Sequence, residues 1–217
     1  MKKSILPALF LIAILAACSD KKAEGIITYN LTYILPDSLR NYGSYLPTSA
    51  TVYFKGDSVA TVQGSDEEST TMITHQPSGY MVALLKSGIK KFAVEYAKSE
   101  QAAELPDLSI YDITKATGQK TIAGFKADRY TRKDKFTGDT TSLWFTQELK
   151  APANFLTMAF KPELGVPVVF STNQNGFITR VELKEVQYQP VPAGIFSAPP
   201  GYQKLTPQQL RDMPVGN

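Results

Sequence analysis

The sequence predicts a mainly β fold: a curved antiparallel sheet, a half-open barrel, with one or two short covering helices. Three observations carry this. Apolar and polar residues alternate with period two over short runs rich in β-branched and aromatic residues. Turn residues (Gly, Asn, Pro) separate those runs at close spacing. Within two of the longer runs the alternation changes phase, which asks for a bulge or a bend.

Ile26 to Leu35 opens the pattern, with Ile27, Tyr29, Leu31, Tyr33 and Leu35 on one face and Thr28, Asn30 and Thr32 on the other. Thr51–Lys55 and Ser58–Gln63 flank Gly56-Asp57, a hairpin signal. Thr70–Gln76 and Tyr80–Lys86 flank Pro77-Ser78-Gly79, a second turn. Lys90–Tyr96 aligns Phe92, Val94 and Tyr96. Lys120–Arg132 is expected as one long strand, with Ala123, Phe125 and Ala127 on one side and a bulge or bend before Tyr130. Thr141–Thr146 sets Leu143 and Phe145 against Trp144. Val168–Thr172 and Phe177–Tyr188 surround Asn173-Gln174-Asn175-Gly176, where Asn-Gly supplies the positive φ values of a type I′ turn. In the second arm Phe177, Thr179, Val181 and Leu183 share a face. Val186 and Tyr188 fall on the other, so this strand too must bend.

Helical signals are few. A short turn of helix is expected around Asp37–Arg40, and a terminal helix over Thr206–Met213, with Thr206 as N-cap and Pro207 at its first position. Leu149–Phe160 carries Phe155, Leu156, Met158, Ala159 and Phe160 and is apolar nearly all round. It is expected as a buried helix, either core or a lid over a hydrophobic cavity.

The N-terminus determines where such a domain would be held. Lys2-Lys3, an apolar run and Leu15-Ala16-Ala17-Cys18 have the layout of a lipoprotein signal peptide, with cleavage before an acylated Cys18. The run is too short for a transmembrane helix, which needs about 20 apolar residues. The organisation read from the sequence is signal peptide 1–17, lipidated tether 18–25, β-sheet domain 26–205, and a tail 206–217 with a short helix. The full chain has 23 basic and 20 acidic residues, a net +3; without Lys2 and Lys3 the count is 21 against 20, a net +1. That near-neutral balance argues against nucleic acid as partner.

No catalytic constellation is legible. His75 is the single histidine, at a strand end beside a turn, and Cys18 the single cysteine. No structural zinc site, nucleophile elbow or phosphate-binding glycine loop is present, and no cofactor is implied. Asp66-Glu67-Glu68 lacks EF-hand spacing and reads as a solvated loop. The charges from Lys126 to Lys135 read as the solvent face of a strand and a protected edge.

The strand Lys120-Thr121-Ile122-Ala123-Gly124-Phe125-Lys126-Ala127, with Trp144-Phe145-Thr146 and the closing Phe196-x-x-Pro199-Pro200-Gly201-Tyr202, resembles uncharacterised Gram-negative periplasmic and outer-membrane lipoproteins. These look like relatives of the LolA/LolB lipoprotein-carrier superfamily. The resemblance implies a cavity able to hold acyl chains, and no functional residue carries over from it. Two non-enzymatic readings follow. One is an envelope lipoprotein binding an apolar ligand, such as a lipid or lipoprotein acyl chain, with Phe155, Leu156, Met158 and Phe160 as ligand-facing candidates. The other is a structural or interaction lipoprotein with a filled core. A carboxylate-based envelope hydrolase ranks below both. Membrane attachment is expected through Cys18. Ser19 directly after it leans towards the outer membrane, facing the periplasm. The sequence names no protein partner.

Overall fold

Among the described residues period-two alternation builds twelve strands, and their register curls them into one sheet. The computed structural model describes residues 24–174 and 176–213. The expected signal peptide, the expected lipidation site at Cys18 and the expected tether up to residue 23 lie outside the described residues. The strands are β1 (Glu24–Ile34), β2 (Ser49–Lys55), β3 (Ser58–Gly64), β4 (Glu68–His75), β5 (Tyr80–Ser87), β6 (Lys90–Glu95), β7 (Tyr111–Ile122), β8 (Phe125–Asp134), β9 (Thr140–Thr146), β10 (Val166–Gln174), β11 (Phe177–Gln187) and β12 (Gln203–Leu205). One α-helix, α1 (Pro207–Arg211), follows. The sheet order is β12-β6-β5-β4-β3-β2-β1-β11-β10-β9-β8-β7. Two meanders, β1 to β6 and β7 to β11, are stitched together by the antiparallel β1–β11 pair; only β12 runs parallel to its neighbour, β6. The fold is mainly β, and the sheet does not close into a barrel.

Curvature follows from reach. Strands lie about 4.8 Å apart, so β6 and β9, eight positions apart, would be separated by roughly 38 Å in a flat sheet. Yet Asn154 bonds Tyr29 on β1, Phe155 packs with Met72 and Val94 of β4 and β6, and Phe160 packs on Phe145 of β9 and Phe170 of β10. Seven residues touch all of these because the sheet wraps around them. The expected bend in β11 is a bulge: Thr28 faces Glu185 and Tyr29 faces Leu183, so Lys184 is the extra residue and the buried phase shifts there.

Two expectations are corrected. Lys120–Arg132 is not one strand but the end of β7 and most of β8, joined by a tight turn at Ala123-Gly124, with φ of 48° and 88°. Ile122 and Phe125 face each other across it. Strand β8 is therefore interior, hydrogen-bonded to β7 and β9, and its charges guard no edge. Asp128 accepts from Lys115 and Gln119 on β7 at 2.6 Å each, and these two bonds, Lys115's first, hold its carboxyl below the ordinary range. Leu149–Phe160 is not a helix but an irregular arch with hydrogen-bonded turns closed on the Asn154 and Thr157 carbonyls. Pro152 opens it, and Asn154 competes for backbone partners that a helix would need.

Other elements lie where expected, some longer and some shorter, the terminal helix being Pro207–Arg211 rather than Thr206–Met213. The turn at Asp37 extends to a 3₁₀ helix, Asp37–Tyr45. Thr206 caps α1 in a full capping box with Gln209, and Pro207 sits at the first turn. The chain from residue 188 to residue 202 straps the outer face, where Ile195, Phe196 and Tyr202 cover Ala60, Ile73, Val82, Leu84 and Ala93. The aromatic residues of the closing motif thus have a structural role. The tail then turns the edge through β12, and Leu210 of α1 joins Met72, Met81 and Tyr96 on the inner face.

Candidate functional site

The inner face of the sheet is apolar because alternate residues of adjacent strands share it. Ile27, Tyr29 and Leu31 of β1 lie beside Val52 and Ala50 of β2 and Leu183 and Val181 of β11, all buried. Two connections cover this face. Residues 96–110 cross from β6 to β7, and residues 147–165 cross from β9 to β10 as the arch.

Two polar bonds hold the arch to the sheet, a buried pin at Asn154 and a second at the Phe155 amide. Asn154, 1 % exposed, donates from Nδ2 to the hydroxyl of Tyr29, itself fully buried, at 3.3 Å. Burial pushes the Tyr29 phenol up to about 12, and the Asn154 bond acts the other way. Asn154 Oδ1 accepts from the Leu156 amide at 3.0 Å, and the Asn154 amide donates to Thr157 Oγ1 at 3.0 Å. The Phe155 amide donates to Thr61 Oγ1 on β3. Sequence reasoning missed Asn154 and Thr157. The signal was Asn-x-x-Thr inside an apolar run, a spacing at which both side chains can close local turns.

The arch divides the inner face unequally. On one side Phe160 fills it. Tyr130, Phe145, Phe160 and Phe170 form an edge-to-face ladder with centroids 5.0, 5.5 and 5.2 Å apart. On the other side a half-open cleft of about 450 Å³ remains. Phe155, Leu156, Phe170 and Val181 line it, together with Tyr33, Leu46, Pro47 and Phe177 and with Ala103 and Pro106 from the crossing segment. Gln63, Glu104, Thr172 and Thr179 supply its polar atoms. The Tyr33 hydroxyl donates to the Pro47 carbonyl at 2.8 Å, and burial raises its pKa. The volume lies within the range of small-molecule sites, about 300–1,000 Å³.

The four ligand-facing candidates therefore separate. Phe155 and Leu156 line this cleft. Phe160 is 5 % exposed in the core ladder and borders a smaller cleft of about 210 Å³ with Leu149, Thr157 and Val166. Met158 lines neither cleft.

Chemistry-bearing residues are not gathered at the cleft. His75 Nδ1 pairs with Ser78 Oγ at 2.8 Å in an exposed turn. Among the described residues no group of three or more His, Cys, Asp and Glu is placed to hold a metal ion. The Glu67 and Glu68 amides donate to Ser65 Oγ, and the Ser87 hydroxyl donates to the Glu68 carboxylate, so that acidic loop is braced from within. Arg132 is 6 % exposed. Its guanidinium donates to the carbonyl and, at 3.2 Å, the hydroxyl of Ser171, and lies 4.5 Å from the Tyr111 ring. It bridges β8 and β10 where the β9–β10 register ends at Val169↔Trp144. Burial lowers its pKa from the ordinary arginine value. Trp144 lies on the outer face beneath Lys120, whose ammonium is 4.5 Å from the ring centroid.

Comparison with known proteins gives a family and a fold. A family model described as a domain of unknown function (DUF4412) matches residues 47–202. No curated protein matches the chain. Among solved structures, PNGF-II in two crystal forms superposes with TM-scores of 0.51 and 0.48, at 13% and 12% identity. These superpositions cover 88% and 85% of this chain and 32% and 31% of theirs, so it spans about a third of the length of those proteins. LprF from Mycobacterium bovis superposes with a TM-score of 0.35 at 12% identity, covering 82% of this chain and 92% of that one.

Proposed function

We propose, for a chain that belongs to the DUF4412 family, that it is a non-enzymatic envelope lipoprotein, anchored through Cys18, that holds an apolar ligand such as a lipid or acyl chain against the inner face of its sheet. The observation that carries this reading is the half-open cleft of about 450 Å³ between the arch and the β10–β11 hairpin. Aromatic and aliphatic side chains make up most of its lining, and Gln63, Thr172 and Thr179 offer hydrogen-bonding groups for a polar end group. Attachment to the outer membrane facing the periplasm rests on the Leu15-Ala16-Ala17-Cys18 run and on Ser19.

The test is direct. The chain, extracted from envelopes in detergent, is delipidated and titrated with a fluorescent fatty acid, and the untreated sample is examined by native mass spectrometry. Copurified lipid and saturable probe binding are expected. Leu156→Ser should weaken that binding about tenfold, the factor for one buried aliphatic contact, while the protein stays folded. Absence of both signals in the wild type rejects the ligand.

The second reading, a structural or interaction lipoprotein with a filled core, is favoured by the Phe160 ladder, which already occupies the inner face beside β9 and β10. It becomes the working account if the cleft takes up no probe.

A further inference from the structure

Charge sets the cleft under the arch apart from other hollows of the molecule. Three other clefts each carry both signs: Lys86 with Glu68, Arg132 and Arg180 with Asp134 and Asp139, and Arg180 with Glu182. The smaller cleft beside Phe160 carries Lys150. Among the described residues the one charged side chain in the lining of the 450 Å³ cleft is Glu104, and no lysine or arginine lines it. Its other polar groups, Gln63, Thr172 and Thr179, are neutral.

Glu104 is held in place there. It ends a short 3₁₀ turn, Gln101–Glu104, in the segment that crosses from β6 to β7. That turn is fastened at its start. Gln101 Nε2 donates to the Gly79 carbonyl at 2.6 Å and to the Tyr96 carbonyl at 3.3 Å. The Ala97 amide donates to the Glu100 carboxylate at 2.8 Å. Glu104 itself is half-buried. Beside it stands the phenol of Tyr96, which is 5 % exposed; burial first, and then the Glu104 charge, raise the Tyr96 pKa. A carboxylate has about four acceptor sites, so one tyrosine hydroxyl leaves capacity for a ligand donor. Arg211 of α1 is the cation that also acts on Tyr96, and it does not line the cleft.

We infer that the cleft selects an apolar chain whose polar end is an amine over one that ends in a carboxylate, with Glu104 as the residue that decides. This rests on the ligand-binding reading above and adds the chemistry of the ligand's head. The apolar walls take a chain of either kind alike, so discrimination falls to the one fixed charge. A half-buried carboxylate between apolar walls is screened less than one at an open surface. An ammonium brought to it makes a charge-assisted hydrogen bond. A second carboxylate brings like charge with no cation in the lining to offset it, so a fatty acid enters protonated or with its head turned to solvent. A fatty acid therefore still binds by its chain, but more weakly. A partly exposed ion pair is worth up to about fivefold in affinity. Attraction for one head and repulsion for the other together give about tenfold between amine and acid.

The test compares three ligands of one chain length, a dodecyl amine, alcohol and acid, each kept below its micelle concentration. They displace a neutral naphthylamine dye from the delipidated full-length protein at pH 7 and low salt. The expected order is amine, alcohol, acid, with the amine about tenfold tighter than the acid. Glu104→Gln should bring amine and acid to the same affinity, and Glu104→Lys should put the acid ahead. Leu156→Ser should weaken all three alike, since it touches the chain and not the head. Thermal melts confirm that each variant is folded. Equal affinity for amine and acid in the wild type overturns the inference while leaving the cleft as a ligand site. So does an amine preference that survives Glu104→Gln, which would place the amine elsewhere on the protein. If no ligand displaces dye and none binds, the ligand-binding reading fails and this inference fails with it.

Discussion

Removing Asn154 should release the arch. In Asn154→Ala the buried Tyr29 hydroxyl loses the donor at 3.3 Å, and the Leu156 amide loses the acceptor at 3.0 Å. A stranded buried hydroxyl costs about 1–3 kcal/mol and a lost, partly solvated backbone bond about 1 kcal/mol. The sum, about 2–4 kcal/mol, corresponds to a fall in Tm of roughly 4–15 °C for a domain of this size. Tyr29→Phe leaves the Asn154 Nδ2 group without its acceptor and should cost about 1–2 kcal/mol. The double variant carries no stranded hydroxyl, so it should be no less stable than Asn154→Ala alone. That gives a coupling of about 1–2 kcal/mol in the cycle. Urea denaturation of the four proteins measures it. Trypsin supplies a second assay, because exposed Lys150 and Lys161 flank the arch and should be cut faster once it loosens. Additive single-variant losses, with coupling below about 0.4 kcal/mol, would refute the pin. So would an arch as protease-resistant in Asn154→Ala as in the wild type.

Ala123→Asn should stabilise the protein by about 1 kcal/mol, because Ala123 sits at positive φ in a two-residue turn where Asn-Gly is the favoured pair; a scan should show Tm rising by roughly 2–4 °C. Phe160→Ala should cost about 3–5 kcal/mol by removing the middle of the aromatic ladder, whereas Phe155→Ser, at the half-buried cleft wall, should affect probe binding more than Tm; equal thermal losses would mean the cleft is ordinary core. Stability should fall as pH rises from 10 to about 12. The Tyr29 phenol is raised by burial, so its contribution is complete below the unfolded value of 10 and is lost as pH passes through the folded value. Alkaline titration of Tyr29→Phe should lack that loss, and an unchanged profile would contradict it.

Much of the sheet was legible because its strands alternate cleanly and its turns carry strong signals. Gly56-Asp57, Pro77-Ser78-Gly79 and the run ending in Asn175-Gly176 all separate paired strands. The bend in β11 was legible too, since Leu183 and Val186 have opposite parity. The Ala123-Gly124 turn was hidden. Alanine has little turn preference, and Ala123, Phe125 and Ala127 mimic the face of a continuous strand. The first part of β7 was hidden as well. Its side chains are mostly exposed, and three residues, Ala116 to Gly118, stand opposite the single residue Arg129, which breaks the alternation. Arg132 read as a surface charge because no local pattern announces that β9 and β10 part beside it. The arch misled for the opposite reason. Its apolar residues are dense enough for a buried helix, but they face several strands of a curved sheet rather than one layer.

That arrangement bears on how a cleft persists in a protein whose inner face is so apolar. A regular helix laid across the sheet would present one continuous stripe and exclude ligand along its length. The arch instead concentrates contact at its two ends, Phe155 on the Met72–Met81 cluster and Phe160 in the aromatic ladder, with Asn154 pinned between the strands. Leu156 projects beside the pin into open space shared with Phe170 and Val181. The polar bond between Asn154 and Tyr29 thus fixes where the arch lies on the sheet, and with it how far Leu156 stands from Phe170 and Val181. Asn154 is already 1 % exposed, so a leucine there gains no further burial, leaves the Tyr29 hydroxyl stranded and must force its larger side chain into the same space. Asn154→Leu should therefore recover neither bond, shift the arch and bind the fatty acid probe less tightly than the wild type. A crystal structure of that variant with the cleft at its original volume would show that the pin does not set the gap.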